Sequence, residues 1–276
     1  MKLTYDPGNG LAFWETISRI PGYPPGETMP IRHMLFESNA LFRLPEILGA
    51  VSADSKEPVQ VVMDWTPMRR GPASLKPLVL ATLTSAGWHT ESVIMEPDAT
   101  GQVHTDMPHI EAVKSRLRPN VAVVSVGSGT ITDVAKHACF LYEKETGHRI
   151  PFVVYQTANS VSAYTSNMAP TFIDGVKRTL PSRYPDALIC DLETLCDAPR
   201  EMTVAGVGDL LAAFVSFPDW YLAHRLGLDA NYTEFPQSLM GPLDEIFLAE
   251  AESIRAGSPA GMAVLAKLIS LGGLAM

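Results

Sequence analysis

The stretch Val121–Lys136, VAVVSVGSGTITDVAK, decides how this chain is read. An unbroken apolar run, Val121–Val126, enters a turn bracketed by Gly127 and Gly129 and leaves it as an amphipathic helix. In that helix Ile131, Val134, Ala135, Ala138, Leu141 and Tyr142 recur at helical spacing and bury one face. A strand apolar on both faces belongs in a parallel sheet, and the first turn of the following helix carries free backbone N–H groups. Strand, glycine turn and helix N-terminus in that order present a phosphate to the positive end of a helix. The two glycines serve either that close approach or simply a tight connection. The pattern is neither a Walker A motif nor a full G-x-G-x-x-G. Ser128 and Thr130 offer hydroxyls to a cap or a phosphate oxygen, and Asp133 falls in the first turn. Lys136 lies about two turns in, where it reaches back to the crevice or out to solvent.

Outward from this stretch, strands at Val59–Met63, Trp88–Met95 and Phe152–Tyr155 alternate with helices at Ala73–Ala86, His109–Leu117 and Ile131–Glu145. This alternation predicts an α/β fold, a parallel sheet covered on both faces. Ile31–Phe36 reads as an edge strand, Asn39 starts a short helix begun afresh at Pro45, and Leu188–Cys190 is a last strand leading to Asp191. With right-handed crossovers, Asp64, Gly127–Thr130 and Thr157–Ser160 lie along one crevice at the strands' C-terminal ends. A D-G turn at Asp174–Gly175 predicts a hairpin across the crevice mouth. After Pro199 the pattern is wholly helical. The expected organisation is an irregular extension over 1–30, a dinucleotide-binding domain over 31–198 and a helical domain over 199–276. Met262–Met276 reads as a packed helix interrupted at Gly272–Gly273.

Of 276 residues, 46% are apolar and 18% charged, a globular composition, and the net charge is -9. That acidity, with no basic stripe, argues against nucleic acid as a partner. Three scattered cysteines without a C-x-x-C pair exclude a disulfide framework and fit a reducing, cytoplasmic setting. The N-terminus lacks a basic start with an apolar core, and no apolar run reaches the ~20 residues of a membrane helix. No membrane partner is therefore expected.

Several polar residues are candidates for chemistry. Asp64, after the first main strand, suits ribose hydroxyls or opens an Asx turn. The hydroxyl-rich loop of Ser160, Ser162, Tyr164, Thr165 and Ser166 suits a carboxamide or substrate oxygen, or is ordinary loop material. Lys177 and Arg178 suit an anionic substrate or simply solvent. In Met202–Leu226, Gly206 and Gly208 cost a helix about 1 kcal/mol each, which points to close approach of another element or a ligand. Asp209 follows them and precedes an apolar run, so a metal, a salt bridge or a cap is its expected partner. About four turns, roughly 22 Å of straight helix, separate it from His224, so the two share no metal unless Pro218 turns the chain back. His104, His109 and Asp106 read as cap and decoration of a helix start. No G-x-S-x-G elbow or H-E-x-x-H pair supports hydrolase chemistry.

VGSGTITDVAKHA at Val126–Ala138, YTSNMAPTFIDGVKRTLPSRYPDALICDLETL at Tyr164–Leu195 and APREMTVAGVGDLLAAFVSFPDWYLAHRLG at Ala198–Gly227 together resemble one family. It is the sn-glycerol-1-phosphate dehydrogenase branch of the iron-containing alcohol dehydrogenase and dehydroquinate synthase superfamily. The resemblance runs from about Met29 to the last residue. It implies NAD or NADP and a divalent metal (zinc, iron or nickel) between two domains, an alcohol or phosphorylated polyol as substrate, and a possible homo-oligomer. By resemblance, Gly127, Ser128, Gly129 and Thr130 cradle the pyrophosphate and Asp64 lies beside the adenosine ribose. Thr157 and Tyr164 line the nicotinamide side, and Asp209 is the first metal ligand. Asp133 and Ser160 join the cofactor set, and Ser162, Lys177 and Asp209 the catalytic one.

Two departures stand out. Ser162 occupies the place of a substrate-holding aspartate in the family's loop. The family's two metal-binding histidines follow a segment like LISLGGLAM, and Met276 precedes either, so a piece of a longer protein or a product without catalysis is expected. The implied reaction is hydride transfer between nicotinamide and a carbinol carbon, in nature the reduction of dihydroxyacetone phosphate. A dehydroquinate-synthase-like lyase or cyclase and a silent nucleotide-binding protein are the alternatives.

Overall fold

Six parallel strands form one sheet at the centre of the protein. The computed structural model describes residues 3–23, 31–52 and 57–276, so part of the expected extension over 1–30 lies outside the described residues. From the N-terminus, α1 (Leu11–Ile17) precedes β1 (His33–Glu37) and α2 (Leu44–Val51). Next come β2 (Val59–Asp64), a ribbon of β3 (Arg69–Arg70) and β4 (Ala73–Ser74), α3 (Leu75–Ser85) and β5 (Thr90–Met95). Then α4 (Met107–Lys114), β6 (Ala122–Gly127), α5 (Gly129–Thr146) and β7 (Phe152–Gln156) follow. The hairpin of β8 (Met168–Ile173) and β9 (Val176–Pro181) leads to β10 (Ala187–Asp191). Beyond it the chain is helical: α6 (Leu192–Cys196), α7 (Arg200–Leu211), α8 (Ala213–Arg225), α9 (Phe235–Met240), α10 (Leu243–Arg255) and α11 (Pro259–Leu274).

The order across the sheet is β1-β10-β7-β6-β2-β5. From β2 the chain moves outward to β5; from β6 it moves the opposite way to β7. The direction thus reverses between β2 and β6, and the crevice beyond their C-terminal ends is where such sheets bind ligands. The continuous apolar runs of the sequence resolve into two faces. Val59, Val61, Met63, Val124, Val126, Val153, Tyr155 and Ile189 pack against α2 and α3. Val62, Val123, Phe152, Val154, Leu188 and Cys190 pack with α1, α4, α5 and the C-terminal helices. Period-two alternation therefore holds, with both sides buried. Each fully buried aliphatic side chain contributes about 1.5–3 kcal/mol.

Most expected elements form with shifted ends. β1 is indeed an edge strand. Asn39 adopts φ 62° and caps nothing; a 3-10 turn at Ala40–Arg43 precedes α2. Asp106 caps α4, its carboxylate accepting from His109 N at 3.0 Å. The hairpin turns at Asp174 (φ 50°) and Gly175 (φ 76°), a pair of positive φ angles that suits a tight two-residue loop.

Two expectations about the helical part are corrected. Met202–Leu226 is not one helix: it breaks at Ala212, and Pro218 does not turn the chain back but lies inside α8. α11 is not interrupted at Gly272–Gly273. Those glycines serve packing, since a Cβ on Gly273 would stand 2.2 Å from Thr165 Oγ1 and 2.4 Å from Ser162 O. Taken through the break at Ala212, the span Arg200–Arg225 passes for a membrane-crossing helix by length and composition only, with mean hydropathy 1.2 in its best window. Counting unbroken apolar runs missed it because Asp209 and Asp219 interrupt the sequence.

Candidate functional site

The C-terminal edge of the sheet holds two adjoining clefts that share Ser128 and Thr130. One, about 520 Å³, lies between the ends of β2 and β6 and is lined by Asp64, Trp65, Gln102 and Ile131 among others. The second, about 400 Å³, runs under the hairpin and includes Gly129, Asp133, Ser160, Ser162, Lys177 and Asp209. The N-terminus of α5 stands where they meet.

The glycines of that turn have packing roles of their own. A Cβ on Gly127 would lie 2.6 Å from Ile131 Cβ, and one on Gly129 would lie 2.5 Å from Val161 Cγ1. Tight connection therefore accounts for both, and the case for a phosphate rests on other atoms. The first intrahelical bond runs from Thr132 N to Ser128 O at 3.1 Å. Gly129, Thr130 and Ile131 precede it and have no acceptor within the helix. Ser128 is the N-cap residue, yet its hydroxyl makes no capping bond. An 18-residue helix thus turns an uncapped positive end toward the clefts. A diphosphate fits this donor set.

The loop after β7 forms the far wall and is pinned from three helices. From α5, Lys136 donates to Ala163 O at 2.8 Å and Ser166 O at 3.1 Å, and lies 2.8 Å from Asp133 Oδ1. Its side chain is fully buried, so it reaches neither crevice nor solvent. Burial pushes the Lys136 amine below its usual range, against the pull of Asp133, and pushes the Asp133 carboxyl up. From α11, Met262 O accepts from Asn159 Nδ2 at 3.0 Å, and Ser270 O accepts from Thr165 Oγ1 at 2.8 Å. From α7, the Asp209 carboxylate accepts the Ser162 N–H at 2.9 Å.

Gly206 is the close-approach glycine the sequence suggested: a Cβ there would meet Asn159 O at 2.1 Å. Gly208 has nothing within 4 Å. Asp209 is half-buried at the cleft rather than enclosed in apolar core. His224, in the last turn of α8, donates from Nδ1 to Asp229 O (3.0 Å) and stacks on Tyr232. Among the described residues no group of three or more His, Cys, Asp or Glu side chains converges to hold a metal. The expected zinc, iron or nickel therefore finds no converging set of three such side chains among the described residues, and those present do not fit it.

Asp64, Ser128, Gly129, Thr130, Asp133, Ser160, Ser162, Lys177 and Asp209 come together along the clefts. Thr157 and Tyr164 do not line them: both are buried behind the loop, where the Tyr164 hydroxyl lies 3.2 Å from Ser160 Oγ. Burial raises the Tyr164 hydroxyl well above its usual range. Gly127 lies beneath the turn, against Ile131. Trp65, Thr105, Val161, Met168 and Pro170 also form the walls. Trp65, directly after Asp64 at the end of β2, was readable by position.

A family model described as iron-containing alcohol dehydrogenase matches residues 35–199. The chain belongs to that family. Within it, glycerol-1-phosphate dehydrogenase [NAD(P)+] of Geobacillus stearothermophilus is 34% identical over 66% of this chain and 44% of its own length. The enzyme of the same name from Halalkalibacterium halodurans is 35% identical over 72% of this chain and 48% of its own. The chain thus spans about half the length of the curated relatives it matches. A Red Sea brine pool alcohol dehydrogenase superposes with TM-score 0.69 at 14% identity, over 90% of this chain and 64% of that one. A probable glycerol dehydrogenase from Sinorhizobium meliloti gives 0.67 at 19%, over 88% and 65%. At such identities these likenesses concern the fold alone.

Proposed function

We propose that this chain binds NAD or NADP across the two clefts. It would serve an oxidoreductase that moves a hydride between the nicotinamide and an alcohol or polyol phosphate, with glycerol-1-phosphate and dihydroxyacetone phosphate as the substrate pair. The observation that carries the reading is the uncapped N-terminus of α5 standing where the clefts meet, at the reversal point of the sheet. The matched relatives' names, which specify NAD(P)+ and glycerol-1-phosphate, supply the substrate class.

The bound cofactor supplies the hydride chemistry. Ser128, Gly129 and Thr130 hold the diphosphate through backbone N–H groups and two hydroxyls. Asp64 takes the adenosine ribose. Ser160 and Ser162 face the nicotinamide end, and Asp133 closes that cleft from the first turn of α5. Lys177, exposed on β9 over the same cleft, attracts the substrate's phosphate. Thr157 and Tyr164 shape the loop from behind. Asp209 orients Ser162 through its backbone N–H, and no step is routed through a metal.

The test is a titration of the protein with NADH and NADPH, followed by addition of dihydroxyacetone phosphate while NADH absorbance is recorded. Sub-millimolar binding with phosphate-substrate-dependent loss of NADH supports the proposal. Binding without oxidation supports a silent nucleotide-binding protein, and absence of binding at millimolar nucleotide overturns the reading. Product formed with no net NADH change marks lyase or cyclase chemistry instead.

A further inference from the structure

The far wall of the larger cleft carries a charge arrangement that the dinucleotide reading alone does not explain. Asp64 ends β2, and its Oδ1 lies 2.5 Å from Lys76 Nζ. The same ammonium donates to Asp64 O at 2.5 Å and Thr66 O at 2.7 Å, while Thr66 Oγ1 donates to Asp64 Oδ2 at 2.6 Å. An ammonium has three donors, and here all three are spent on the turn that follows β2. Both side chains are largely withdrawn from solvent, with Lys76 11% and Asp64 13% exposed. Lys76 stands in the first turn of α3, so the helix fixes it in place. Beside the pair, the Trp65 indole is 61% exposed and held by a bond from Nε1 to Glu96 at 3.0 Å.

A carboxylate offers about four lone-pair sites, so Asp64 keeps acceptor capacity for a ribose hydroxyl after these two contacts. Its charge, however, is cancelled at contact distance. That difference matters for one chemical distinction. A ribose with two free hydroxyls asks only for an acceptor. A ribose bearing a 2′-phosphate brings about two negative charges. Within roughly 5 Å of an uncompensated carboxylate, those charges cost about tenfold in affinity even at the dielectric of water.

We propose that Lys76 sets coenzyme choice: by neutralising Asp64 it lets the cleft accept the adenosine ribose with or without a 2′-phosphate. The proposal rests on the dinucleotide reading of the clefts and adds a specificity-determining residue to it.

Dissociation constants for NADH and NADPH, measured by nucleotide fluorescence on wild type, Lys76→Met, Asp64→Asn and the double variant, test it. Wild type binds both within about threefold. Lys76→Met weakens NADPH by about tenfold or more and leaves NADH within about threefold. Asp64→Asn, with the lysine uncompensated, shifts the ratio toward NADPH. The double variant, with both charges gone, returns to the wild-type ratio although the clamp on the turn is lost. Equal weakening of both nucleotides in Lys76→Met, or a double variant that keeps its skewed ratio, overturns the proposal by showing a merely structural role. Should Lys76→Met not fold, Asp64→Asn and the double variant decide, because charge counting predicts a ratio shifted toward NADPH in the first and the wild-type ratio in the second. Wild type that binds NADH alone overturns this proposal and spares the cleft reading; wild type that binds neither overturns both.

Discussion

Gly206 on α7 faces Asn159 so closely that a Cβ would stand 2.1 Å from the Asn159 carbonyl oxygen and 2.8 Å from its carbon. The helix carrying Asp209 thereby rests on the loop that walls the smaller cleft. Backbone cannot give way as a flexible side chain does. Gly206→Ala is expected to destabilise by about 1–3 kcal/mol as α7 is displaced. Gly208→Ala, at a helical position with nothing within 4 Å, is expected to stabilise by about 1 kcal/mol. Urea denaturation of the two variants reads both signs, and equal effects would contradict the packing described.

Lys136 is expected to matter for stability beyond its size. Lys136→Met leaves Asp133 buried without its cation and two loop carbonyls without a donor, a loss of about 3–5 kcal/mol. Asp133→Asn in the same chain removes the stranded charge, so the double variant should recover part of that loss. A double-mutant cycle by chemical denaturation measures the coupling, and strict additivity would show that the pair is not coupled.

His137, next on α5, gives a pH dependence of defined sign. Burial, with a smaller push from Lys136, lowers its pKa from the ordinary 6.5. The native state therefore binds fewer protons than the unfolded state between that lowered value and 6.5, and stability rises with pH through this window. The contribution is complete above the unfolded value and is lost as acidification proceeds below it. In His137→Gln the dependence of unfolding free energy on pH between 7.5 and 5.5 should become shallower. An unchanged slope would place the titration elsewhere.

Lys177 is expected to distinguish substrate binding from cofactor binding. It is exposed on β9 above the smaller cleft and takes no part in the α5 turn. Lys177→Ala is expected to weaken binding of a phosphorylated polyol about tenfold while NADH affinity stays within about threefold. Competition experiments with inorganic phosphate and dihydroxyacetone phosphate would show this, and parallel loss of NADH affinity would assign Lys177 to the cofactor instead.

The parallel sheet was legible because its signals are local and redundant. Val59–Asp64, Ala122–Gly127 and Phe152–Gln156 are short, apolar on both faces and separated by helices of ordinary length. The crevice followed from parallel pairing alone, which brings Asp64 and Ser128 to one edge. What sequence spacing lacks is the direction of side chains on a curved loop. Ser160 and Ser162 face the cleft while Tyr164, two residues on, is swallowed behind it. Gly272 and Gly273 looked like a helix break because propensity counts their backbone freedom, whereas their neighbours Thr165 and Ser162 lie in another part of the chain. The Lys76–Asp64 contact likewise joins a helix start to a strand end across an intervening ribbon.

The phosphate end of the account is tested most directly by Ser128→Asp. An aspartate at this N-cap supplies the side-chain cap that Ser128 does not, and its charge complements the helix dipole. It also sets a like charge where the proposal places the nucleotide diphosphate. Paired measurements of melting temperature and NADH dissociation constant should show an equal or higher melting temperature and binding weakened about tenfold or more. Unchanged NADH affinity in this variant, or a wild-type protein that binds no dinucleotide at millimolar concentration, would contradict it.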